Sequence, residues 1–474
     1  MYVFRSLLLS LALAAWMSHL ALFVGSVAGA AATKKPNVVF ILADDWGWGD
    51  LSCHGNTFVH TPNIDTLARE GTDFYQFYVA SPVCSPSRVA FMTGHFPARF
   101  SIHEAIGPET KNREVGQVDW LTPRATVLPQ ILKSAGYVTG HFGKWHLSGP
   151  FLDAPMPTAY GIDEHAVWSG PANVNVNTTD HRKVYDDAVA FIHKHKAEPF
   201  YLNLWIKETH LAHQPSDGSL NETAHMSEQQ RVYSAVVADG DKGIGKLLAA
   251  LKELGLEENT LVIFSSDNGP ENTGREERKE MGDGFGGYYS VGSTDGSRGR
   301  KRSLYNGGVR SPFIVRWPGH TPAAKINKVA TLAAVDLLPT ICAAAGVSLP
   351  ADYQPDGENM LPALLGEDVK RTKLLFWDWR GKDTPRDCWP RWAVLDGDWK
   401  LVTDNADRQE LYHSPDDGAE RKNVAAEHPA VVARLVDQLE GWKGTLPKES
   451  AAENVSKERR EKGRIRPRAK DRIE

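Results

Sequence analysis

The sequence has few cysteines, no excess of either charge and no internal repeat. Only four cysteines occur in 474 residues, and no spacing among them indicates a zinc or iron–sulfur site. Lysine and arginine number 54 and aspartate and glutamate 59, which argues against a general nucleic-acid binder and an acidic disordered protein. Recognition of an anion must therefore be local. The length is sufficient for a substantial core and for two or three domains.

Long apolar runs are absent beyond the N-terminus. There, a short basic region precedes an apolar run over residues 7–27 and the small residues Ala28-Gly29-Ala30. This order predicts a secretory signal peptide, residues 1–30, that is cleaved. The alternative is an uncleaved anchor, because the run approaches the length that spans a bilayer, but polar residues within it favour cleavage. We expect an exported protein, periplasmic or extracellular, with no stable membrane insertion after cleavage and no nucleic-acid partner.

In an exported chain the four cysteines could form two disulfides, which is the structural default. Cys342 lies in an apolar helical stretch and is predicted to be a buried thiol. Cys53 and Cys388 lie in loop-like surroundings, where they could pair or stay free. Cys84 differs from the other three, because a proline and an arginine follow it at short spacing.

Short apolar runs that alternate with helical patterns indicate the fold class. Strands are predicted at 37–43, 137–142, 200–206, 261–265 and 313–316, and helices at 61–71, 127–135, 184–195, 227–254 and 335–345. Apolar strands without alternation are typical of a buried parallel sheet. We therefore predict an α/β fold with a large, mostly parallel sheet sandwiched by helices.

The residue pattern changes near residue 370. Short strands and a final helix indicate a smaller α+β subdomain with an antiparallel sheet, with strands at 374–379, 391–395 and 399–402 and the helix at 429–442. Beyond Lys448 the chain is charged and poor in apolar residues, which predicts a solvated tail. The expected organisation is a signal peptide, a main domain, a C-terminal subdomain and a charged tail, at 1–30, 34–369, 370–446 and 447–474.

Acidic residues follow two predicted strands at the edge where α/β sheets bind ligands. Asp44-Asp45 follows strand 37–43, and Asp267-Asn268 follows strand 261–265. Such dipeptides are often turn or helix-cap residues. Two acidic groups that meet at one edge, however, would repel each other without a cation. Their oxygen ligands suit calcium or magnesium rather than zinc or copper.

Basic residues follow other predicted strands at the same edge. Lys144 and His146 come after strand 137–142, and His210 comes after strand 200–206. Lys301 lies in an arginine-rich segment. A lone histidine is more often a packed or surface residue, and a charge run is more often a solvated loop. Acids, amides and bases that converge on one edge nevertheless predict a site there.

The segment Cys84-Ser85-Pro86-Ser87-Arg88 is the most informative of the chain. Pro86 suits the first turn of a helix, and Gly94 after Thr93 suits its end. Free backbone N–H groups at the start of a helix attract anions, so Cys84 would adjoin an oxyanion site. Arg88 adds a planar set of donors that suits sulfate or phosphate. A disulfide cysteine and an ordinary buried thiol are the alternatives.

The pattern Cys-x-Pro-x-Arg followed by Thr-Gly resembles the signature of the type I sulfatases, in the alkaline phosphatase superfamily. Other segments resemble blocks of that family in the same order, namely 37–47, 143–146, 266–269, 301–310 and 317–319. The resemblance covers most of residues 36–445. It implies an alkaline-phosphatase-like fold and a sulfuric ester hydrolase.

The resemblance also implies the roles of residues. A maturation enzyme would convert Cys84 to formylglycine, an aldehyde whose hydrate is the nucleophile. A metal ion, calcium in preference to magnesium, would be bound by Asp44, Asp45, Asp267, Asn268 and residue 84. The residues for sulfate binding and proton transfer would be Arg88, Lys144, His146, His210 and Lys301. One position departs from the family, which commonly has glutamate where Asn306 stands, and the change removes a charge from a loop that is expected to be structural.

Two features of the sequence indicate the substrate class. Aromatic rings can stack on sugars, although they are more often core residues, and four tryptophans cluster in the C-terminal part: Trp377, Trp379, Trp389 and Trp392. The loop 270–299 has no strand or helix pattern, and loops of such length are often functional. We therefore expect a sulfated carbohydrate as substrate. The alternatives are a phosphonate or phosphodiester hydrolase with the same formylglycine, and a non-catalytic glycan-binding protein.

Overall fold

The computed structural model describes residues 34–172, 181–271, 278–381, 390–404, 408–448 and 451–464. The predicted signal peptide, Cys388 and Trp389 lie outside these residues. The strands are β1 (Asn37–Ala43), β2 (Thr72–Phe74), β3 (Phe77–Tyr78), β4 (Val138–Lys144), β5 (Glu164–Trp168), β6 (Phe200–Trp205), β7 (Thr260–Ser266), β8 (Glu280–Met281), β9 (Gly284–Phe285), β10 (Phe313–Arg316), β11 (Lys325–Asn327), β12 (Leu332–Ala333), β13 (Leu375–Asp378), β14 (Trp392–Asp396), β15 (Trp399–Thr403) and β16 (Gln409–His413).

The predicted helices are confirmed to within two residues at each end, and five further helices of the described residues were not predicted. The helices are α1 (Pro62–Glu70), α2 (Cys84–Thr93), α3 (Glu109–Val115), α4 (Leu128–Ser134), α5 (Lys183–Lys194), α6 (Asp217–Glu222), α7 (Glu228–Glu253), α8 (Asn306–Val309), α9 (Leu337–Ala344), α10 (Leu361–Leu364), α11 (Pro429–Gly444) and α12 (Lys457–Arg464). Within the described ranges, none of them combines the length and the apolar character that crossing a membrane requires.

The main sheet has eight strands in the order β11-β2-β10-β7-β1-β6-β4-β5. β1 pairs in parallel with β6 and β7, and β4 extends the parallel part between β6 and β5. β10 runs antiparallel to β7 and β2. The predicted mostly parallel sheet is therefore confirmed. Ala43 pairs with Ser266, so β1 and β7 end at the same edge of the sheet.

Helices cover both faces of this sheet. Alternate residues of β1 enter two separate cores, with Val38, Phe40 and Leu42 in one and Val39, Ile41 and Ala43 in the other. Every residue of β1 is buried, which explains why its sequence is apolar from Val38 to Ala43. α1 and α5 pack against α7, and α2 packs against α9. This packing on both faces fixes the positions of the buried central strands.

The second sheet contains β13, β14, β15 and β16 as an antiparallel meander. β14 and β15 are joined through Gly397, whose φ of 57° suits the predicted hairpin turn. α11 packs against β14, as the sequence predicts. β16 was not predicted, because its sequence Gln-Glu-Leu-Tyr-His is short and carries only one aliphatic residue.

The charged segment after Lys448 differs from the predicted solvated tail, because residues 451–464 include a helix that contacts the main domain. Ser456 N–H donates to Asp119 Oδ2 at 2.7 Å. Arg459 donates to Asp119 Oδ1 at 3.0 Å and to the carbonyl oxygen of Gln117 at 2.6 Å. These contacts are polar, so the low apolar content of the segment did not reveal them.

We expect Arg459→Ala to destabilise the protein, because Asp119 is fully buried and would lose a charged donor. Hydrogen bonds to charged groups contribute about 1.5–3 kcal/mol, so we expect the free energy of unfolding to fall by about 1–3 kcal/mol. The midpoint of chemical denaturation measures this change. Lys457→Ala is the matched control, since its side chain is 74% exposed. Equal midpoints for Arg459→Ala and wild type would contradict the proposed contribution of this contact.

Candidate active site

The ends of β1 and β7 bring two acidic pairs together. Asp44 and Asp45 follow β1, Asp267 and Asn268 follow β7, and all four residues are at most 1% exposed. Asn268 Nδ2 donates to Asp45 Oδ1 at 2.7 Å, and the N–H of Asp45 donates to Asp267 Oδ1 at 3.3 Å. Asp45 has a φ of 66°, a left-handed conformation that aspartate tolerates better than most residues. The chain therefore turns within the cluster.

Cys84 lies at the N-terminus of α2, beside these acids. The helix begins at Cys84 itself, and Pro86 occupies its third position, where the missing N–H leaves no helical bond unmade. Cys84 is 2% exposed, and its Sγ is 3.4 Å from Asp44 Oδ1. Ligand atoms of Cys84 and the three aspartates lie within 4.8 Å of one another.

Three buried cations pair with the three carboxylates. The pairs are Arg88 with Asp267, Lys144 with Asp44 and Lys301 with Asp45, at 2.6, 2.6 and 2.5 Å. Arg88 also donates to the carbonyl oxygen of Lys144 at 2.9 Å, and Lys144 Nζ is 3.2 Å from Cys84 Sγ. Positive groups are therefore positioned around the first turn of α2, where an anion would bind.

Gly143 determines the path of β4 just before Lys144, the last residue of the strand. Its φ is 114°, and a Cβ there would lie 1.9 Å from the carbonyl oxygen of Trp205. Only glycine fits such a position without displacing the neighbouring strand. The sequence Gly143-Lys144-Trp145-His146 thus carries a structural requirement as well as two polar side chains.

The two predicted histidines each have one nitrogen engaged by a backbone carbonyl. His146 Nε2 donates to the carbonyl oxygen of Ile106 at 2.9 Å, and its buried Nδ1 has no hydrogen-bond partner among the described residues. His210 Nδ1 donates to the carbonyl oxygen of Leu211 at 2.7 Å. Its side chain is 32% exposed, and Nε2 is 4.0 Å from Asp45 Oδ2. Each ring therefore keeps one nitrogen for proton transfer.

Burial controls the ionisation of the cluster. Burial and the charge of Asp44 raise the pKa of Asp267 to about 7, against the effect of Arg88. Burial also opposes ionisation of Asp44, but Lys144 and the other cations hold its pKa well below the usual range. Burial raises the pKa of the Cys84 thiol to about 12. An unmodified thiol is thus a poor nucleophile here at neutral pH.

The site fits a divalent metal. Asn268 Oδ1 is buried without a hydrogen-bond partner in the part of the chain that the structure describes, and three aspartates adjoin it. Carboxylate and amide oxygens are ligands of hard cations such as calcium and magnesium. A bound cation would also offset the burial of these carboxylates. The ten residues predicted from the sequence therefore converge on one site, although their roles remain predictions.

The Sulfatase family pattern matches residues 36–347 of the chain. The chain belongs to the sulfatase family. Its members are sulfuric ester hydrolases, known for a formylglycine and a divalent metal. The C-terminal pattern of N-sulphoglucosamine sulphohydrolase matches residues 299–444, a range that includes Lys301 and the second sheet.

Individual sulfatases resemble the chain over most of its length. The N-acetylgalactosamine-6-sulfatase of Canis lupus familiaris is 31% identical over 407 residues, covering 76% of this chain and 72% of the relative. The N-acetylgalactosamine-6-O-sulfatase of Bacteroides thetaiotaomicron is 28% identical, with coverages of 87% and 94%. The crystal structure of Ps i-CgsB in complex with k-i-k-neocarrahexaose has a TM-score of 0.73 and 27% identity, with coverages of 86% and 93%.

Two residues that support this sulfatase site were not predicted. Glu271 lies 3.7 Å from Lys301 and forms an ion pair with Arg302, so it adds negative charge behind Lys301. Thr209 donates to the carbonyl oxygen of Asp44 at 2.5 Å. Glu271 closely follows the Asp267-Asn268 pair, a sequence signal that could have identified it. Thr209 has no such signal, because its contact depends on the fold.

The segment that carries Lys301 is supported in spite of the departure at Asn306. Asn306 Oδ1 accepts from Lys400 Nζ at 2.7 Å, and its Nδ2 donates to the carbonyl oxygen of Gly418 at 3.0 Å. Lys400 also pairs with the buried Glu420 at 2.8 Å. A carboxylate from the C-terminal part of the chain thus adjoins the position where the family commonly has glutamate.

The three clustered tryptophans that the structure describes are core residues, so their rings are not available to stack on a sugar. Trp377 and Trp379 are 2% exposed and Trp392 is 5% exposed. Trp377 Nε1 donates to the carbonyl oxygen of Val79, and Trp379 Nε1 donates to Glu104. These rings pack in the core instead. The described part of loop 270–299 also differs from its prediction, since it contains the β8–β9 hairpin.

We expect added calcium to raise the thermal unfolding midpoint of chelator-treated protein, because binding to the folded state adds about 2.7 kcal/mol at a hundred times Kd. Asp45→Asn should reduce this rise, since it removes a charged ligand. Differential scanning calorimetry measures both. Asp396→Asn is the control, because Asp396 pairs with Arg434 at the surface. An undiminished calcium effect in Asp45→Asn would contradict the metal assignment.

Proposed function

We propose that this sulfatase hydrolyses sulfate monoesters of a sulfated carbohydrate, with a formylglycine formed from Cys84 and with calcium in preference to magnesium. The observation that carries this proposal is the position of Cys84. It lies at a buried helix N-terminus, within 3.4 Å of Asp44 and 3.2 Å of Lys144. A residue at this position can reach both the acidic cluster and the cations.

The metal would be held by Asp44, Asp45, Asp267 and Asn268 together with residue 84. The hydrated aldehyde supplies a nucleophilic hydroxyl, and the metal supplies a positive charge that polarises the sulfuryl oxygens. Asp267 would accept the proton of that hydroxyl, because its carboxylate adjoins residue 84 in the buried cluster.

The basic residues supply charge stabilisation and proton transfer. Arg88, Lys144 and Lys301 would bind the sulfate oxygens, on which negative charge is concentrated. His210, with Lys301, would protonate the departing alcohol. Burial and then Lys144 lower the pKa of His210, and a bound anion would favour its protonated form. His146, with its free Nδ1, would remove a proton from the second hydroxyl of the hydrate, so that sulfate is released.

A carbohydrate substrate is supported by the similar proteins and by the difference in exposure between His210 and Cys84. Two of the relatives are named for N-acetylgalactosamine sulfate, and one similar structure holds a neocarrahexaose. His210 is partly exposed and lies where a substrate would enter, whereas Cys84 is buried. Only the sulfate group of a saccharide therefore needs to reach the buried end of the site.

The burial of Cys84 also bears on maturation. The whole of α2 is buried, from Cys84 to Thr93, so a maturation enzyme could not reach the Cys-x-Pro-x-Arg segment in the folded protein. We therefore propose that the conversion to formylglycine precedes folding. The predicted export through the signal peptide at residues 1–30, to the periplasm or the extracellular space, is compatible with this order.

The alternatives differ in the anion that is cleaved. The phosphorus of a phosphonate or phosphate diester is tetrahedral like the sulfur of a sulfate ester, and Arg88, Lys144 and Lys301 could bind either group. Rates on defined sulfated saccharides, an aryl sulfate and a phosphate diester distinguish these activities. Faster turnover of the phosphate diester would overturn the sulfatase proposal. Turnover of no substrate, together with an unmodified Cys84, would favour a non-catalytic glycan-binding protein.

We expect the tryptic peptide that contains residue 84 to carry an aldehyde in place of the thiol, when the protein is made with a maturation enzyme. Mass spectrometry with an aldehyde-reactive hydrazide measures this. Cys84→Ala should remove both the aldehyde and sulfate release. Cys342→Ala is the matched control, because Cys342 is also a buried free thiol. Full turnover by Cys84→Ala would refute the proposed nucleophile.

We expect His210→Ala to slow hydrolysis of a saccharide sulfate by about 10²–10⁴-fold, the usual contribution of a general acid. The rate of hydrolysis of an aryl sulfate with an acidic leaving group should fall far less, because that leaving group needs no proton. Comparing kcat for the two substrates measures the difference. His60→Ala is the control, since His60 is exposed. An equal fall in kcat for both substrates would exclude His210 as the general acid.

A further inference from the structure

A second group of potential metal ligands lies outside the sulfatase site. Cys53 and His54 belong to a short 3-10 turn, Ser52–His54, and Asp73 belongs to β2. One ligand atom from each residue lies within 4.8 Å of the others. Thiol, imidazole and carboxylate thus meet where no cysteine spacing in the sequence indicated a metal site.

Both ring nitrogens of His54 face an oxygen that acts as an acceptor. His54 Nδ1 lies 2.6 Å from the carbonyl oxygen of Trp48, which can only accept, so Nδ1 carries a proton. His54 Nε2 lies 2.8 Å from Asp73 Oδ2, which as a carboxylate also accepts. A neutral imidazole has one N–H, so the second contact requires an additional proton or a cation. Metal-ligating histidines commonly donate their other N–H to a backbone carbonyl in this way.

Asp73 supplies the second, independent observation. Its side chain is 5% exposed, and its Oδ1 is buried with no hydrogen-bond partner among the described residues. An unpaired carboxylate oxygen inside a protein is costly. A cation beside Cys53 and His54 would satisfy it.

Cys53 gives the cluster both a soft donor and access to solvent. It is half-buried, whereas the side chain of His54 is fully buried. Asp65 holds the turn rather than offering a ligand, because its oxygens already accept from Ser52 Oγ, Cys53 N–H and Thr61 Oγ1. Burial, Asp73 and Asp65 raise the pKa of the Cys53 thiol, and a metal ion would offset the two acidic charges.

Aromatic side chains restrict the imidazole. Trp48 stacks on His54 with ring centroids 4.0 Å apart, and Tyr75 contacts it edge-on at 5.4 Å. The guanidinium of Arg310 lies over the Trp48 ring, 4.4 Å from its centroid. The ring of His54 is therefore fixed in orientation before any ion binds, which reduces the entropy lost on binding.

We propose that Cys53, His54 and Asp73 form a second metal site that binds Zn²⁺, with solvent as the fourth ligand. Sulfur, nitrogen and oxygen donors from three residues suit zinc in tetrahedral coordination. The oxygen donors of the acidic cluster suit a hard cation instead. A bound zinc ion would tie the turn Ser52–His54 to β2. The proposal does not depend on the carbohydrate substrate or on the modification of Cys84.

The test uses the full-length chain with calcium in excess, in a Cys84→Ala background that removes the thiol of the sulfatase site. Co²⁺ is added as a spectroscopic probe, and a sulfur-to-cobalt charge-transfer band is expected. Cys53→Ser should abolish the band. Cys342→Ser should preserve it, because Cys342 is a buried thiol in the hydrophobic core. A band that survives Cys53→Ser, or no band at all, would overturn the proposal.

Zinc affinity provides a second test, whose signal does not depend on a sulfur-to-metal absorption band. Competition with a chromophoric chelator should show one tight Zn²⁺ equivalent in the Cys84→Ala protein. His54→Gln should weaken it at least about tenfold, since even outer partners of metal ligands change affinity by about 10–100-fold. Zn²⁺ should also raise the thermal midpoint of the parent but not of His54→Gln. Equal zinc affinity in the two proteins would show that His54 and Asp73 form only an ion pair.

Discussion

The architecture of the site depends on the burial of three carboxylates beside three cations. Buried charges are costly unless they are paired, and each cation comes from a different part of the chain: Arg88 from α2, Lys144 from β4 and Lys301 from the segment before α8. The ion pairs therefore join elements that lie far apart in sequence. A divalent cation among the aspartates would compete with these lysines and the arginine, and the cations would then be available to a sulfate group. The same charges stabilise the fold and, in the proposed mechanism, bind the sulfate group.

The chain separates two kinds of metal donor within a short stretch after β1. Asp44 and Asp45 offer oxygen to a hard cation, whereas Cys53 and His54 offer sulfur and nitrogen. Trp48 lies between the two sets in sequence and accepts the Nδ1 proton of His54 through its carbonyl oxygen. Donor chemistry, rather than position, decides which ion each set suits.

The amount that could be predicted varies with the physical origin of each feature. The apolar run of β1 after Asn37 reflects burial on both faces, so the strand and the acidic residues that follow it were predictable. Residues 451–464 were not, because Ser456 and Arg459 reach Asp119 through polar contacts. Trp377 and Trp379 have rings that could stack on a sugar, yet these rings are buried and their Nε1 atoms have partners inside the protein. Composition shows that an aromatic ring is available, but only packing shows which side of it meets solvent.

By itself, the sequence determined the order of the main strands and helices, the family and the residues available for chemistry, because periodicity and short motifs are local properties. The tertiary structure decided which side chains meet. It paired Lys400 and Glu420 with the loop at Asn306, and it placed Cys53 and His54 against Asp73 on β2. These contacts join segments that no local pattern relates, since strand order and register bring them together only when the chain folds.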